Sequence, residues 1–548
     1  MQKKKFLILR NYTVEPIFDE LKYRLENKNF NIDFHYSSYD SAFPDLLKIN
    51  DDKLKRFDGT LIFFSLESFF KNKKTGKSEV IINHFLNSVK NIISYLKNKN
   101  VNNVYFFYFT SNKLIEKYFI KSILKKIKKQ FSQLVSNNVK VFNLSEEIIL
   151  YDNKEEWIDK KYWNYSMFPF NGFGLKLVSN IIFLKLKEIL KLNLKTIILD
   201  ADNTLWNGII DEVGFKKINF LNKKNKINYI TFQKKLKKLL NKGVLLCLCT
   251  KNDLKLIKDT FNYHKKRMPI EFKDFLIVKA NWKPKAINIK EIQKELNLSI
   301  DNSLFIDDSV FEIDSINNLI PNLDTINFFE YKNFHSNIDK IIYSKDSNNT
   351  KEDKNRSSLY QQEFKRKKEK LKFINFNNYI KNLKINIKIK INSKKNIPRL
   401  SQLSLRTNQF NSNFTRLSEK EVKNLINDKD QLIYQCEATD KFGDYGIIGM
   451  SIIGLKNNKS EMQSFIMSCR ALGREIEKKF FNFIRSDLKK KKYKKIIVSY
   501  RKNEKNKLVK DFFDKNYKKI KQSNKMIYYS VDTKVSKKSN NIIKIIYG

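Results

Sequence analysis

The fold of this chain is decided by the stretch Thr196-Ile-Ile-Leu-Asp-Ala-Asp-Asn-Thr-Leu-Trp-Asn-Gly208, where an apolar, β-favouring run leads directly into two aspartates. The pattern predicts a buried strand that presents Asp200 and Asp202 at the edge of a sheet. Because side chains alternate along a strand, both carboxylates point the same way. They repel each other unless a cation lies between them, and Mg²⁺ accepts carboxylates together with phosphate oxygens. The alternative is a loop with solvated acids, and the rest of the chain decides between the two.

Polar side chains also follow three later strands that are predicted for the same sheet. The stretches are Val244-Leu-Leu-Cys-Leu-Cys-Thr-Lys-Asn-Asp253, Asn281-Trp-Lys-Pro-Lys285 and Leu304-Phe-Ile-Asp-Asp308. Thr250 and Asn252 could hold a phosphate, while Lys285 could neutralise one next to an aspartate. The acids that end the third stretch add a further pair of carboxylates. These residue types at strand ends predict a site for phosphate chemistry.

Together the four stretches resemble the haloacid-dehalogenase (HAD) superfamily of phosphatases and phosphotransferases. The resemblance implies that Asp200 is the nucleophile that takes the phosphoryl group. It implies that Asp202 is the general acid and base, which protonates the leaving oxygen and later activates water. Thr250 would hydrogen-bond the phosphoryl oxygens, and Lys285 would offset charge on the nucleophile and the transferring group.

The same resemblance implies a Mg²⁺ site beside the nucleophile. Its ligands would be Asp200, the backbone carbonyl of Asp202, and one of the adjacent acids Asp307 and Asp308. Those two side chains alternate in direction along a strand, so the sequence leaves open which of them binds the metal. The ion would bridge nucleophile and phosphate, and catalysis would come mostly from positioning and charge.

The residues of these stretches resemble a narrower group than the superfamily, because they are similar to those of the FkbH-like family. Three C-terminal stretches resemble the same family, namely Arg399-Leu-Ser-Gln-Leu-Ser-Leu-Arg-Thr-Asn-Gln-Phe-Asn411, Asp440-Lys-Phe-Gly-Asp-Tyr-Gly446 and Ser468-Cys-Arg-Ala-Leu-Gly-Arg474. The resemblance implies transfer of a glyceryl unit from 1,3-bisphosphoglycerate to an acyl carrier protein, with loss of phosphate. An alternative enzyme would act on a sugar-phosphate precursor of a surface glycan.

Loading a carrier protein would call for a thiolate that attacks the acyl phosphate. Cys249 is the candidate, because it stands beside Thr250 and has Lys251 nearby to favour its anionic form. The equally open alternative is that Cys249 is a small core residue at a strand end. Cys247 is predicted to belong to the core.

The C-terminal region looks like a GNAT-type acyltransferase. Arg470-Ala-Leu-Gly473 lies at the predicted start of a helix, whose N–H groups could bind the pyrophosphate of coenzyme A or a phosphopantetheine arm. A carboxylate at Glu475 would repel that pyrophosphate. Side chains predicted to bind a polar acyl group are Arg399, Thr407, Asn408, Gln409 and Asn411. Asp440 and Asp444 either bind substrate or form a turn.

The N-terminal region alternates strand-like and helix-like apolar patterns, which predicts a mainly parallel α/β unit. It resembles a degenerate SGNH-hydrolase fold, without the Gly-Asp-Ser segment or the Asp-x-x-His pair, so a binding or docking role is expected. The whole chain is thus expected to be α/β with three domains. They are an SGNH-like α/β domain over 1–190, a HAD-like Rossmannoid domain over 191–343 and a GNAT-like α+β domain over 381–548, with a charged linker and helix over 344–380.

Composition limits the other functions. A formal charge of +50 over 548 residues could suit a basic nucleic-acid-binding scaffold. However, the charge is mostly lysine and accompanies abundant Asn and Ile throughout, which favours a coding bias over a nucleic-acid surface. Four cysteines form no disulfide framework and fit a reduced, cytoplasmic setting. No apolar run is long enough for a transmembrane helix, so no membrane partner is expected.

Overall fold

The protein is represented by a computed structural model that describes residues 2–28, 30–39, 41–72, 78–111, 114, 121–152, 156–190, 192, 194–342, 356–456, 459–503, 506–535 and 542–547. It has a mixed α/β fold that divides into two compact units, Met1–Lys345 and Asp346–Gly548. Residues 344–355 of the predicted linker and helix lie outside the described residues. None of the described helices is both long and apolar enough to cross a membrane.

The first sheet of unit 1 contains five parallel strands in the order β2-β1-β3-β4-β5. They are β1 (Gln2–Arg10), β2 (Phe30–Tyr36), β3 (Gly59–Ser65), β4 (Val104–Phe109) and β5 (Val139–Asn143). Strands β3 and β4 are buried along their whole length. This explains their unbroken apolar sequence, because helices cover both faces of a parallel sheet.

The helices of this region alternate with the strands. They are α1 (Glu15–Glu26), α2 (Ala42–Leu47), α3 (Asp51–Leu54), α4 (Leu66–Asn72), α5 (Ser78–Asn98), α6 (Lys121–Ser132), α7 (Leu144–Ile149), α8 (Lys160–Ser166) and α9 (Gly172–Leu186). The predicted parallel α/β organisation is therefore confirmed for the described residues.

The second sheet of unit 1 also contains five parallel strands, in the order β10-β9-β6-β11-β12. They are β6 (Thr196–Leu199), β9 (Leu245–Thr250), β10 (Phe275–Ala280), β11 (Ser303–Asp307) and β12 (Asp324–Asn327), while β7 (Leu221–Asn222) and β8 (Ile227–Asn228) form a small hairpin. The four predicted strands are confirmed, and β12 was not predicted.

Helices connect these strands as well. They are α10 (Ile210–Val213), α11 (Tyr229–Asn241), α12 (Leu254–Tyr263), α13 (Lys285–Leu296), α14 (Val310–Leu319) and α15 (Phe334–Ile341). Because all five strands are parallel, their carboxyl ends lie along one edge of the sheet, which is where α/β proteins bind ligands.

The two sheets of unit 1 share one hydrophobic core, which includes residues of β1 and β3 together with residues of β6 and β9. The buried carboxylate of Asp324 also joins the two regions. It accepts a hydrogen bond from Lys187, just after α9, at 2.7 Å and forms an ion pair with Lys28, just after α1, at 3.2 Å. The boundary near residue 190, between the predicted SGNH-like and HAD-like domains, stays a prediction.

Unit 2 is built on an eight-stranded mixed sheet in the order β18-β19-β17-β16-β15-β14-β13-β20. The strands are β13 (Asn386–Ile391), β14 (Gln431–Asp440), β15 (Gly443–Lys456), β16 (Lys459–Met467), β17 (Lys495–Arg501), β18 (Lys518–Gln522), β19 (Met526–Asp532) and β20 (Lys544–Tyr547). The helices are α16 (Arg356–Lys370), α17 (Phe376–Leu383), α18 (Ile397–Arg406), α19 (Glu419–Asn427), α20 (Ile476–Lys490) and α21 (Lys507–Asp514).

Helix α16 belongs to the charged linker and helix predicted over 344–380, and one side of it is buried. Arg366 is only 2% exposed and makes a bidentate contact with Asp440, at 2.7 and 2.9 Å. Its guanidinium also lies 3.7 Å from the centre of the Tyr445 ring. The buried ion pair anchors the helix to the β14–β15 turn.

Candidate active site

The predicted phosphate residues meet at the carboxyl edge of the second sheet. Asp200 directly follows β6, Thr250 ends β9 and Asp307 ends β11. Lys285 is the first residue of α13, after the loop that leaves β10. Strands β9, β6 and β11 are neighbours, so their parallel arrangement brings together side chains that are about 50 residues or more apart in sequence.

A buried lysine connects two of the acids. The Lys285 ammonium donates to Asp200 Oδ1 at 2.8 Å and to Asp307 Oδ2 at 2.6 Å. All three residues are at most 5% exposed. Burial lowers the pKa of Lys285, but attraction from the two carboxylates outweighs it and the pKa is raised. The lysine is therefore held as a cation beside the predicted nucleophile.

Three carboxylates converge at this point. Asp200, Asp307 and Asp308 each offer one oxygen, and these oxygens lie within 4.8 Å of one another. Burial, followed by the charge of Asp200, raises the pKa of Asp307 to about 7 and the pKa of Asp308 to about 6. A bound cation would relieve this repulsion, and an all-oxygen donor set suits Mg²⁺. The residues present therefore fit a magnesium ion.

The two adjacent acids differ in their contacts. Asp307 is fully buried, and its oxygens accept Lys285 and the backbone N–H of Ser309, the latter at 3.0 Å. Asp308 is partly exposed and its backbone carbonyl accepts the Asn327 amide at 2.8 Å. The side chain of Asp308 is thus the more accessible of the two.

Asp202 belongs to a separate hydrogen-bond network. Its Oδ1 accepts the Trp206 indole N–H at 2.9 Å and the Ile210 backbone N–H at 3.3 Å, while Oδ2 accepts the Asn252 amide at 2.9 Å. Burial raises its pKa, although the hydrogen bonds from Asn252 and Trp206 lower it. Among the described residues, its carboxylate is not part of the three-acid cluster.

Asn252 was predicted to contact substrate, but the structure shows its amide nitrogen in use within the protein. Its Nδ2 donates to Asp202 and also to Thr250 Oγ1 at 3.1 Å. The side chain is 2% exposed and its Oδ1 is buried without a hydrogen-bond partner. Asn252 therefore connects the two predicted catalytic side chains.

The structure does not support the expectation of a reactive Cys249. The residue is 0% exposed, and its Sγ lies 3.9 Å from the backbone carbonyl of Lys285. Burial raises the pKa of its thiol, against the weaker opposite effect of Lys285. The Lys251 ammonium pairs instead with Glu312 at 2.6 Å. Cys249 thus has the surroundings of a core residue, which is the alternative that the sequence left open. Cys247 is buried as predicted.

Trp206 is a site residue to which the sequence assigned no role. It is fully buried, packs edge-on against Phe261 and donates its indole N–H to Asp202. The signal was present in the quoted stretch, because a buried indole normally needs an acceptor and Asp202 lies four positions earlier.

In unit 2, the predicted acyl-binding residues form contacts within the protein. Arg399 donates to the Ile447 carbonyl at 3.1 Å and to Gln402, while Asn408 accepts Arg416. Thr407 and Asn411 are buried, and Gln409 is exposed. The Asn411 amide donates to the Thr407 carbonyl at 3.3 Å. These residues form a connected local structure, and their substrate role stays a prediction.

Residues 410–413 lie between two strands of the large sheet. Strands β16 and β17 pair only from Ser460 to Met462, after which this segment bonds to both. The Ser412 N–H donates to Phe465 at 3.1 Å, and the Ser412 carbonyl accepts Arg501 N–H at 2.8 Å. Residues 410–413 therefore lie between β16 and β17 where these two strands no longer pair with each other.

The two acids of the β14–β15 turn have structural contacts. Asp440 accepts Arg366, the Tyr445 hydroxyl at 2.8 Å and the Phe442 N–H at 2.9 Å. Asp444 accepts the Gly446 N–H at 2.7 Å. Of the two interpretations left open by the sequence, the structure shows the turn.

The predicted helix start at Arg470 is wrong by several residues. A short 3₁₀ turn covers Cys469–Ala471, Gly473 has a φ of +72°, and α20 begins only at Ile476. Glu475 precedes the first turn with a φ of +63°, and Glu477 lies within it. Two carboxylates near this helix start oppose an anion such as pyrophosphate.

Comparison with known proteins gives limited similarity. No protein-family model matches the chain, and no curated protein matches it. The N-terminal part of BF1531 from Bacteroides fragilis, a structure containing a phosphatase domain complexed with Mg, matches 62% of this chain and 94% of its own, with 21% identity and a TM-score of 0.48.

Acetyltransferase structures match a smaller part. The ribosomal-protein-S18-alanine N-acetyltransferase of Escherichia coli matches 28% of this chain and 98% of its own, at 9% identity and a TM-score of 0.22. The PaiA N-acetyltransferase of Thermoplasma acidophilum, in complex with coenzyme A, matches 21% and 71%, at 15% identity and a TM-score of 0.18. Similarities at this level do not assign an activity to the chain.

Proposed function

We propose that this protein is a HAD-type phosphatase or phosphotransferase with its active centre at the carboxyl edge of the second sheet. The supporting observation is the buried Lys285 ammonium, which contacts Asp200 and Asp307 at once. The ammonium offsets negative charge where the Asp200 oxygen and an incoming phosphoryl group would meet, which favours attack by a carboxylate nucleophile.

In the proposed reaction, an Asp200 oxygen attacks phosphorus and the bond from phosphorus to the leaving oxygen breaks. Asp202 gives its proton to that oxygen. Water then attacks the aspartyl phosphate while Asp202 takes a proton from it, which releases phosphate and restores the Asp200 carboxylate. Lys285 offsets charge on the transferring group, and the Thr250 hydroxyl donates to its oxygens.

We include a magnesium ion in this proposal, held by Asp200 and Asp308, with the backbone carbonyl of Asp202 as a third ligand. Asp308 is preferred over Asp307 because both Asp307 oxygens already accept hydrogen bonds. When bound, Mg²⁺ supplies positive charge to the phosphoryl oxygens.

Hydrolysis of phosphate esters by the purified chain tests the phosphoryl-transfer step. Asp200→Asn is expected to abolish activity and the covalent phosphoenzyme seen by intact mass, while Asp202→Asn is expected to slow turnover by about 10²–10⁴-fold. Asp444→Asn, in a surface turn of unit 2, is the matched control and should retain full activity. Activity that survives in Asp200→Asn would contradict the nucleophile assignment.

The finer part of the proposal comes from the FkbH-like motifs. We propose that the phosphorylated substrate is 1,3-bisphosphoglycerate and that the reaction takes place in the cytoplasm. The phosphopantetheine thiol of an acyl carrier protein attacks the acyl carbon, forms the thioester and releases the acyl phosphate group as phosphate, while Asp200 removes the phosphate ester at the other end of the glyceryl unit. Incubation with this substrate, Mg²⁺ and a holo-carrier protein should add a glyceryl mass to the carrier. Release of phosphate without loading of the carrier would contradict the carrier protein as acceptor but would agree with phosphatase activity. Hydrolysis of sugar phosphates alone would have the same meaning.

A further inference from the structure

The side chain of Trp206 makes one polar contact, and that contact is to a predicted catalytic group. The indole Nε1 lies 2.9 Å from Asp202 Oδ1, in a residue that is 0% exposed. The backbones of Asp202 and Trp206 also form an isolated parallel bridge. Because Phe261 packs edge-on against the ring, at 5.7 Å between centroids, the indole has little freedom to turn away.

Three N–H donors fix the Asp202 carboxylate from two sides. Trp206 and the Ile210 backbone both donate to Oδ1, whereas Asn252 alone donates to Oδ2. A carboxylate offers about four acceptor positions, two on each oxygen. Both positions on Oδ1 are therefore in use, and the remaining one is on Oδ2. The arrangement distinguishes two oxygens that are chemically equivalent in a free aspartate.

We infer that Trp206 is a positioning residue for the proposed phosphoryl transfer, which holds Asp202 so that Oδ2 faces the leaving-group oxygen. The inference rests on the proposed function. The proton moves from Asp202 Oδ2 to the leaving oxygen as the bond between that oxygen and phosphorus breaks, and the electron pair of the bond stays on the oxygen. Trp206 touches neither the substrate nor the reacting atoms and acts through Asp202 alone.

A purely structural role for Trp206 predicts a different outcome. If the indole only fills the core, Trp206→Phe would lower the stability of the protein and would lower kcat/KM for all substrates by the same factor. A positioning role instead predicts a loss that depends on how strongly the leaving group needs a proton. Alkyl phosphates have strongly basic leaving groups, whereas p-nitrophenyl phosphate leaves with little help.

The experiment compares kcat/KM for an alkyl phosphate and for p-nitrophenyl phosphate, because this ratio reports the steps up to departure of the leaving group. Trp206→Phe is expected to lower the alkyl value by about 10–100-fold, since small misplacements of catalytic groups have costs of that size. The p-nitrophenyl value should fall by less than about threefold. Asp202→Ala should show the same preference, and Trp206→Phe should add little to it.

Trp163→Phe is the matched control. Trp163 is also buried, at 1% exposure, and lies in α8 of the same unit, where its backbone carbonyl accepts a hydrogen bond from Lys71 of α4. This variant loses an indole of equal size and should keep both kcat/KM values. Equal losses on both esters in Trp206→Phe would overturn the inference.

A second measurement does not depend on turnover or on the folding of Trp206→Phe. The chain has four tryptophans, so ¹⁵N-indole labelling gives a spectrum with few signals. Replacement of Asp202 by Ala should move one indole N–H signal strongly upfield, as the hydrogen bond to a carboxylate is lost. An unchanged set of signals would overturn the inference even if the enzyme is active. A wild-type protein that hydrolyses neither ester would overturn the proposed phosphatase instead, and the positioning role with it.

Discussion

Two buried groups of charged residues in this protein are built in different ways. At the carboxyl edge of the second sheet, three carboxylates, Asp200, Asp307 and Asp308, face one ammonium, that of Lys285. In unit 2, Arg366 pairs with Asp440 and lies 3.8 Å from Glu363, which also pairs with Arg474, so two cations face two carboxylates. The Tyr445 hydroxyl and backbone N–H groups complete the acceptor positions of Asp440. The first group carries excess negative charge, and the second is balanced.

The difference separates a candidate site from a structural contact. A balanced and fully hydrogen-bonded pair offers nothing further to a ligand, although the loss of one partner is costly. Excess buried charge costs folding free energy unless a ligand compensates it, and such strain concentrates at functional sites. Charge balance therefore distinguishes the candidate active site from the Arg366–Asp440 pair. Sequence reasoning could not make that distinction for Asp440.

The largest expected effect comes from removing the cation of each group. Lys285→Met and Arg366→Met should each lower the free energy of unfolding by about 3–5 kcal/mol in chelator, because each leaves a buried carboxylate unpaired. Urea unfolding measures both. Each variant is compared with the wild type at the same Mg²⁺ concentration. The ion should reduce the difference for Lys285→Met, whose carboxylates lack their ammonium, and should leave it unchanged for Arg366→Met, which keeps the three-acid group intact. An equal reduction in both variants, or in neither, would contradict the comparison.

Magnesium should stabilise the wild-type protein through the three-acid group. At about 100 times its dissociation constant, the ion is expected to add about 2.7 kcal/mol to the free energy of unfolding. Asp308→Asn should weaken that dependence on magnesium, whereas Asp444→Asn, in the β14–β15 turn, should leave it unchanged. Thermal unfolding over a magnesium titration checks this, and a response that is lost in Asp444→Asn would place the ion elsewhere.

Cys249 sharpens the comparison because it lies beside the charged group without belonging to it. Cys249→Ala should lower the free energy of unfolding by about 1 kcal/mol, the usual size for a small buried truncation, and leave phosphate release unchanged. Iodoacetamide should modify the exposed Cys469 in the native protein and spare Cys249. A loss of phosphate release in Cys249→Ala, or its rapid alkylation, would restore the thiol as a reactive group.

The smallest expected effect is at the helix start of unit 2. Coenzyme A should neither stabilise the protein nor release heat in calorimetry, because Glu475 and Glu477 lie near the start of α20 and repel its pyrophosphate. Glu475→Gly alone should not restore binding, because Glu477 remains in the first turn of the helix. Saturable binding by the wild-type protein would show that these carboxylates do not exclude the pyrophosphate.

Much of the fold around the site follows from local patterns. The apolar runs of β6, β9, β10 and β11 are confirmed as strands because each run is short and is followed by polar residues, and β6, β9 and β11 are buried along their whole length. Strand β12 was missed since Asp324-Thr-Ile-Asn327 has no comparable apolar run and owes its place to pairing with β11. The start of α20 was misplaced because the Arg470–Gly473 stretch has the composition of a helix start but forms a 3₁₀ turn.

The sequence by itself determined the strand-end chemistry, because the order of apolar run and polar group is a local property that survives any packing. It named Asp200, Asp202, Thr250, Lys285 and the Asp307–Asp308 pair without knowledge of their distances. Only the tertiary structure decided how these groups are connected. Burial of Cys249, the Trp206 and Asn252 contacts of Asp202, and the pairing of Asp440 with Arg366 each depend on neighbours that are distant in sequence or on the direction of a side chain. Periodicity and composition do not contain that information.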